Sequence, residues 1–97
     1  MSKFQKEFEI YSQSIKALKT KPTDDELLNL YGLYKQATEG NCNTSQPWVF
    51  QIKEYSKWNA WTKRKDMNNL DATKRYINVA KNLIEKYGIH ESFLTSK

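Results

Sequence analysis

The chain has 97 residues, enough for one hydrophobic core and too few for two. Sixteen Lys and Arg against eleven Asp and Glu give a formal net charge of +5, which favours an anionic partner and leaves its chemistry open. One cysteine, Cys42, and one histidine, His90, exclude an internal disulfide framework and a thiolate-rich metal site, so no metal is expected. Apolar residues make up only 38% of the chain, but three Trp, six Tyr and four Phe bring large contact areas, which argues against disorder.

Phe4, Phe8, Tyr11, Ile15 and Leu18 recur in steps of four and three, so the spacing predicts a helix over about 4–18 with these residues on one stripe. Lys19-Thr20-Lys21-Pro22 breaks the pattern. Thr23, followed three residues later by Glu26, is a capping-box signature, and Asp24-Asp25-Glu26 suits the positive end of the helix dipole. A second helix is therefore predicted over about 24–39, with Gly40 in the left-handed conformation that ends it.

Residues 40–53 contain turn formers and Pro47 without a sustained helical period, a long loop for so short a chain. Trp48, Val49, Phe50 and Ile52 are expected to anchor it to the bundle. Tyr55, Trp58, Ala60 and Trp61 suggest a short third helix over about 54–64. Asn68 or Asn69 is placed to cap a fourth, in which Ala72, Tyr76, Val79, Ala80, Leu83 and Tyr87 form a stripe ended by Gly88. The polar tail of residues 90–97 is expected to fray. With no internal repeat and no strand-like alternation, the expected architecture is an all-α four-helix bundle forming a single domain over 1–97, its core at about 4–89.

No apolar run approaches the roughly 20 residues of a membrane span, and Met-Ser-Lys-Phe-Gln-Lys-Glu lacks the apolar centre of a signal peptide. A cytoplasmic location is expected. The sequence carries no nucleophile paired with a base, no phosphate-binding loop and no dinucleotide fingerprint, so an enzyme is not expected.

The informative cluster lies on the second helix. Steps of three and four put Tyr31 on the face of Tyr34 and Lys35, bringing phenol near ammonium. Lys57 and Trp61 are four apart on the third helix, and the fourth contributes Tyr76. A groove lined by such groups offers charge and hydrogen bonds for a phosphate and flat rings for a base. Lys16, Lys19, Lys21 and Lys53 add to the positive field. The simpler reading of each group stands beside this one: Trp58 and Trp61 are core candidates first, a single Lys is ordinarily a solvated charge, and Asp24 to Glu26 serve capping. A basic helical nucleic-acid module and a protein-interaction domain docking through the Trp48 loop are the alternatives. Charges spread along the chain and the lack of any nucleic-acid motif weigh against the first.

Residues 31–43 read Y-G-L-Y-K-Q-A-T-E-G-N-C-N and residues 57–61 read K-W-N-A-W. These closely resemble the acyl-CoA-binding protein family, whose patterns are Y-x-x-Y-K-Q-A-T-x-G-x-x-N and K-W-x-A-W. Lys19-Thr20-Lys21-Pro22, Pro47, Tyr76-Ile77 and Lys86-Tyr87-Gly88 follow in the family's order and spacing, so the resemblance covers about residues 4–89. It implies a bundle with up-down-down-up connectivity that holds one medium- to long-chain fatty acyl-CoA ester as ligand, needs no cofactor, and acts as a monomeric intracellular carrier and pool former. Transient contact with membranes or with acyl-CoA-using enzymes is implied, and contact with nucleic acid is not.

By position in the motifs, Tyr31, Lys35 and Lys57 look like the family's triad for the 3′-phosphate of the CoA ribose. Tyr34 resembles the residue beside adenine, Lys16 and Lys53 match further headgroup contacts, Tyr76 matches the contact from the last helix, and Leu27 and Leu28 occupy acyl-channel positions. The chain departs from the family in reading Lys53-Glu54-Tyr55-Ser56-Lys57-Trp58 ahead of the second motif, in Trp48 where a Gly commonly follows the proline, and in Ile52 where a Phe is common. These departures fall at the mouth of the acyl channel.

Overall fold

The computed structural model describes residues 3–90. Helix α1 (Lys3–Ser14) continues into a 3-10 turn (Ile15–Ala17), followed by α2 (Asp24–Glu39), α3 (Ile52–Thr62) and α4 (Asn69–Tyr87). The expected tail after His90 lies outside the described residues. The first helix is shorter than its apolar stripe: after Ser14 the backbone tightens, and Leu18 leaves helical geometry to form an isolated antiparallel bridge with Ile89. Lys19 N–H donates to the Gly88 carbonyl at 2.9 Å and His90 N–H to the Ala17 carbonyl at 3.0 Å, tying the end of the first segment to the end of the last.

Local chemistry sets the other boundaries. The Thr23 hydroxyl accepts from the Glu26 N–H at 3.1 Å while the Thr23 N–H donates to the Glu26 carboxylate at 2.9 Å, completing the capping box. Asn68, not Asn69, caps α4, accepting from the Asp71 N–H at 2.8 Å. Asn69 instead reaches back to the end of α2, donating to the Ala37 carbonyl at 2.9 Å. Gly40 and Gly88 end their helices at φ of 81° and 77°, a region that penalises any side chain. Helix α3 begins at Ile52, two residues earlier than its periodicity predicts.

Pairs across the interfaces give the directions. Tyr31 with Lys57, and Lys35 with Trp61, advance together along α2 and α3, which are therefore parallel. Glu26 pairs with Lys86 whereas Ala37 meets Asn69, so α2 and α4 are antiparallel. Phe4 with Lys74, and Tyr11 with Lys81, set α1 parallel to α4. The bundle is thus up-down-down-up, and the long link over 40–51 carries the chain back to the start of the parallel α3.

The core consists of Phe8, Leu30, Leu33, Tyr76, Ile77, Ala80 and Leu83, with Tyr11, Ile15, Leu18, Val79 and Tyr87 packed around it. Ile77 and Thr73 extend the buried face of α4 beyond a single stripe, because this helix packs against both α1 and α2. Helices α2 and α3 approach so closely at Gly32 that a Cβ there would overlap the Ala60 carbonyl oxygen and lie 2.9 Å from its carbon.

The link over 40–51 is held by polar bonds rather than by its apolar side chains. Trp61 Nε1 donates to the Gly40 carbonyl at 2.8 Å, and Trp58 Nε1 donates to the Thr44 carbonyl at 3.1 Å. Buried Gln36 donates from Nε2 to Asn41 Oδ1 at 2.9 Å and to the Met67 carbonyl at 2.8 Å. The expectation that Trp48, Val49, Phe50 and Ile52 anchor the loop is therefore corrected: all four are exposed. With the loop's backbone and its Asn already bonded to the bundle, no apolar anchor is required.

Gly32→Ala tests the helix contact. Overpacking against a backbone carbonyl costs about 1–3 kcal/mol or more, which outweighs the ~1 kcal/mol that Ala gains in helix propensity. Net destabilisation is expected in urea titration. A second test concerns Glu26, whose carboxyl is held down at about 2 from the ordinary 4.5, first by the Tyr87 hydroxyl and then by the Thr23 N–H and the Lys86 ammonium. A depressed carboxyl contributes stability that is present above its unfolded pKa and lost as pH falls toward its folded one. Thermal midpoints of wild type and Glu26→Gln should therefore differ above pH 5 and converge between about pH 4.5 and 2.

A tyrosine- and lysine-lined groove along helix α2

Helix α2 presents a different groove on each side. On the α1 and α4 side, a groove of about 290 Å³ is lined by Lys16, Leu27, Tyr31, Tyr34 and Tyr76, with Ser12 and Gln13 at its edge. Five of the nine residues singled out from the sequence therefore meet at one place. Phe8, Tyr34 and Tyr76 lock its floor: Phe8 stacks on Tyr34 with centroids 5.4 Å apart and meets Tyr76 edge-on at 5.0 Å, and Tyr34 and Tyr76 are 6.0 Å apart. Tyr76 is buried, and that burial, with the nearby Tyr34, pushes its phenol up to about 12, so it stays neutral and can donate a proton in a hydrogen bond. Tyr34 keeps one face accessible, and its stacking on Phe8 leaves it a flat, preoriented ring.

Lysines meet this wall from α3 and from α2 itself. Lys57 Nζ lies 5.6 Å from the centre of the Tyr31 ring, on its α3 side. Lys35 Nζ sits 4.8 Å from the centre of the Trp61 ring and pairs with Glu39 one turn further along α2. The hydrogen bond that Lys35 donates to Glu39 is the main cause raising the Lys35 pKa, opposed by partial burial and supported by Tyr31 and Tyr34. Lys57 thus lies against the Tyr31 ring, and Lys35, one turn further along α2, lies against Trp61 across the same α2–α3 contact. The close approach at Gly32 makes this possible by drawing Lys57 across to α2.

Lys53 stands apart, exposed on the first turn of α3 and in no ion pair among the described residues. Leu28 is separated from Leu27. Neighbouring helical residues point about 100° apart, so Leu28 lines a second cavity of about 540 Å³ between α2 and α3, beside Asp25, Asn29, Tyr55, Ser56 and Asn59. Arg64 of the following turn closes the rim of that cavity and bonds to Asn29. Sequence reasoning missed Ser12, Gln13, Asn29 and Arg64, since uncharged polar residues and one further cation carry no periodic signal.

Among the described residues no group of three or more His, Cys, Asp or Glu is placed to hold a metal ion, and no helix is long and apolar enough to cross a membrane. The arrangement is that of a binding module: a lysine against a tyrosine ring, aromatic faces along one groove, and a second, mainly polar cavity on the other side of the same helix.

Comparison with known proteins supplies the family. The model for Acyl CoA binding protein matches residues 2–80. The Acyl-CoA-binding protein of Dictyostelium discoideum is 45% identical over 80 residues, covering 82% of this chain and 95% of that one. Acyl-CoA-binding protein homolog 1 of Caenorhabditis elegans is 43% identical over 81 residues, covering 84% and 94%. The crystal structure of Oryza sativa Acyl-CoA-Binding Protein 2 superposes with a TM-score of 0.82 at 37% identity, covering 86% of this chain and 90% of that one. The chain belongs to the acyl-CoA-binding protein family.

Glu39 is the only partner of Lys35 in an ion pair among the described residues, so an anion taken up at Lys35 would have to displace it. Such an (i, i+4) pair is worth about 0.2–0.5 kcal/mol, so Glu39→Gln should raise affinity for a phosphate-bearing anion about twofold. Isothermal titration with adenosine 3′,5′-bisphosphate checks this, and an unchanged constant would place Lys35 outside the anion site.

Proposed function

We propose that the protein binds single medium- to long-chain fatty acyl-CoA esters and serves as a non-catalytic, monomeric carrier and pool former in the cytoplasm. The observation that supports this reading is the Lys57 ammonium 5.6 Å from the Tyr31 ring beside the tyrosine-lined groove, with Lys35 one helical turn along α2, in a chain of this family. In this reading those three residues hold the 3′-phosphate of the CoA ribose. Adenine lies against Tyr34 and Tyr76, Lys16 and Lys53 attract the remaining phosphates, and the acyl chain follows the apolar edge at Leu27, whereas Leu28 opens onto the other side of α2. The whole chain acts as one ligand-binding unit.

The two ends of the ligand contribute differently. Burying a sixteen-carbon tail is worth up to about 12 kcal/mol at ~0.8 kcal/mol per CH2, before the cost of association is subtracted. The tail therefore dominates affinity. Charge-assisted bonds to phosphate contribute about 1.5–3 kcal/mol each and separate CoA esters from free fatty acids, which lack the phosphate.

Lys35→Ala or Lys57→Ala should weaken binding of a 3′-phosphorylated acyl-CoA about tenfold or more and leave binding of the 3′-dephospho ester nearly unchanged. Tyr31→Phe should act in the same direction but less strongly, because it removes one hydroxyl and keeps the ring. Isothermal titration with both ligands reads the difference; equal losses for the two would overturn the assignment.

A further inference from the structure

Trp48, Val49, Phe50 and Ile52 are 71%, 70%, 75% and 73% exposed, the most exposed large apolar side chains among the described residues. They are ordered into a shape. The rings of Trp48 and Phe50 are stacked, at 17° with centroids 6.1 Å apart, and form one aromatic plate of two layers. The turn beneath them is closed by a bond from Gln51 N–H to the Trp48 carbonyl at 2.9 Å and by one from Trp48 N–H to Gln51 Oε1 at 3.2 Å. Trp58 and Trp61 spend their indole N–H groups on loop carbonyls, whereas that of Trp48 has no partner among the described residues. An aromatic plate with a free N–H donor is the side-chain chemistry that settles where hydrocarbon meets lipid headgroups.

Charge identifies the kind of surface. From Trp48 to Lys63 the chain carries Lys53, Lys57 and Lys63 against one acid, Glu54, within a protein of net charge +5. Lys53 adjoins the plate directly, one residue after Ile52 on the first turn of α3. Apolar groups bordered by lysine fit an anionic bilayer, which accepts the rings and attracts the ammonium groups together. A second copy of the chain fits poorly, because a two-fold contact through this plate would oppose each Lys53 with another. The interior of a protein–protein contact is depleted in lysine.

We propose that Trp48, Val49, Phe50 and Ile52, with Lys53 beside them, dock the protein on anionic lipid bilayers. The plate opens helix α3, whose next turn carries Lys57 to Tyr31 and whose Ile52 stripe runs on into Ser56 and Asn59 at the 540 Å³ cavity. Docking therefore brings the mouth of the binding region to the surface where an amphiphilic cargo dissolves. The docking stands on these side chains alone; its use in loading and unloading cargo rests on the carrier reading above.

Flotation with ligand-free vesicles tests the proposal, using phosphatidylcholine and phosphatidylserine at 7:3 and phosphatidylcholine alone. Wild type should float with the mixed vesicles and about fivefold less with the neutral ones. Trp48→Ala combined with Phe50→Ala should lose flotation at least tenfold while keeping its helical circular dichroism, and Lys53→Glu should lose it severalfold. Brominated acyl chains should quench wild-type tryptophan emission, and Trp48→Phe should remove that quenching. Equal flotation of the double variant and wild type overturns the proposal, as does wild type that fails to float. So does a concentration-dependent dimer that the double variant abolishes, since that would make the plate a protein contact. Parallel titration with acyl-CoA separates the two readings: flotation without ligand binding keeps the dock and removes the carrier, and ligand binding without flotation does the reverse.

Discussion

The contact of Gly32 with Ala60 is the constraint on which the binding region depends. Two parallel helices ordinarily stand 8–10 Å apart, the spacing set by the side chains between them. With no Cβ on Gly32, the backbone of α3 rests directly on α2. That approach carries Lys57 to Tyr31 and places Trp61 under Lys35. The same glycine weakens the middle of α2 as a helix, and the packing of Leu30 and Leu33 on its other face offsets that loss.

A parallel pair needs a long return link, and how that link is held governs the surface around the site. Its start is bonded to the bundle through Gln36, Asn41, Trp58 and Trp61, which places two large aromatic residues at the α2–α3 interface as hydrogen-bond donors. The second half is left free of any packing duty. Polar attachment of the backbone is therefore the reason that Trp48 and Phe50 face outward, where otherwise they would be drawn into the core.

The groove wall also shows how aromatic residues divide between structure and recognition. Phe8 and Tyr76 are buried, and Tyr34, packed against both, keeps a face accessible. Ring orientation along the groove is thus maintained by the hydrophobic core itself. The ammonium groups are less constrained: each lies against a ring, but Lys35 is also bonded to Glu39. The rings of the groove are held in place by packing, whereas Lys35 is held by an acid of its own helix.

Much of the architecture was legible because it depends on near neighbours in the chain. The Thr23 and Asn68 caps, the terminating Gly40 and Gly88, and the apolar stripes all act within one or two helical turns, so local spacing is sufficient to reveal them. That Tyr31 and Tyr34 share a groove is legible for the same reason, whereas its further lining by Lys16 and Tyr76 depends on other helices. The tertiary structure alone decided that Leu27 and Leu28 open onto different cavities, that Lys35 faces Glu39 and Trp61, and that the Trp48 turn lies outside the core. Each of these depends on which helix lies across from a residue and how near it comes. That distance is set by long-range contacts such as Gly32 with Ala60, and no periodicity along a single helix encodes it.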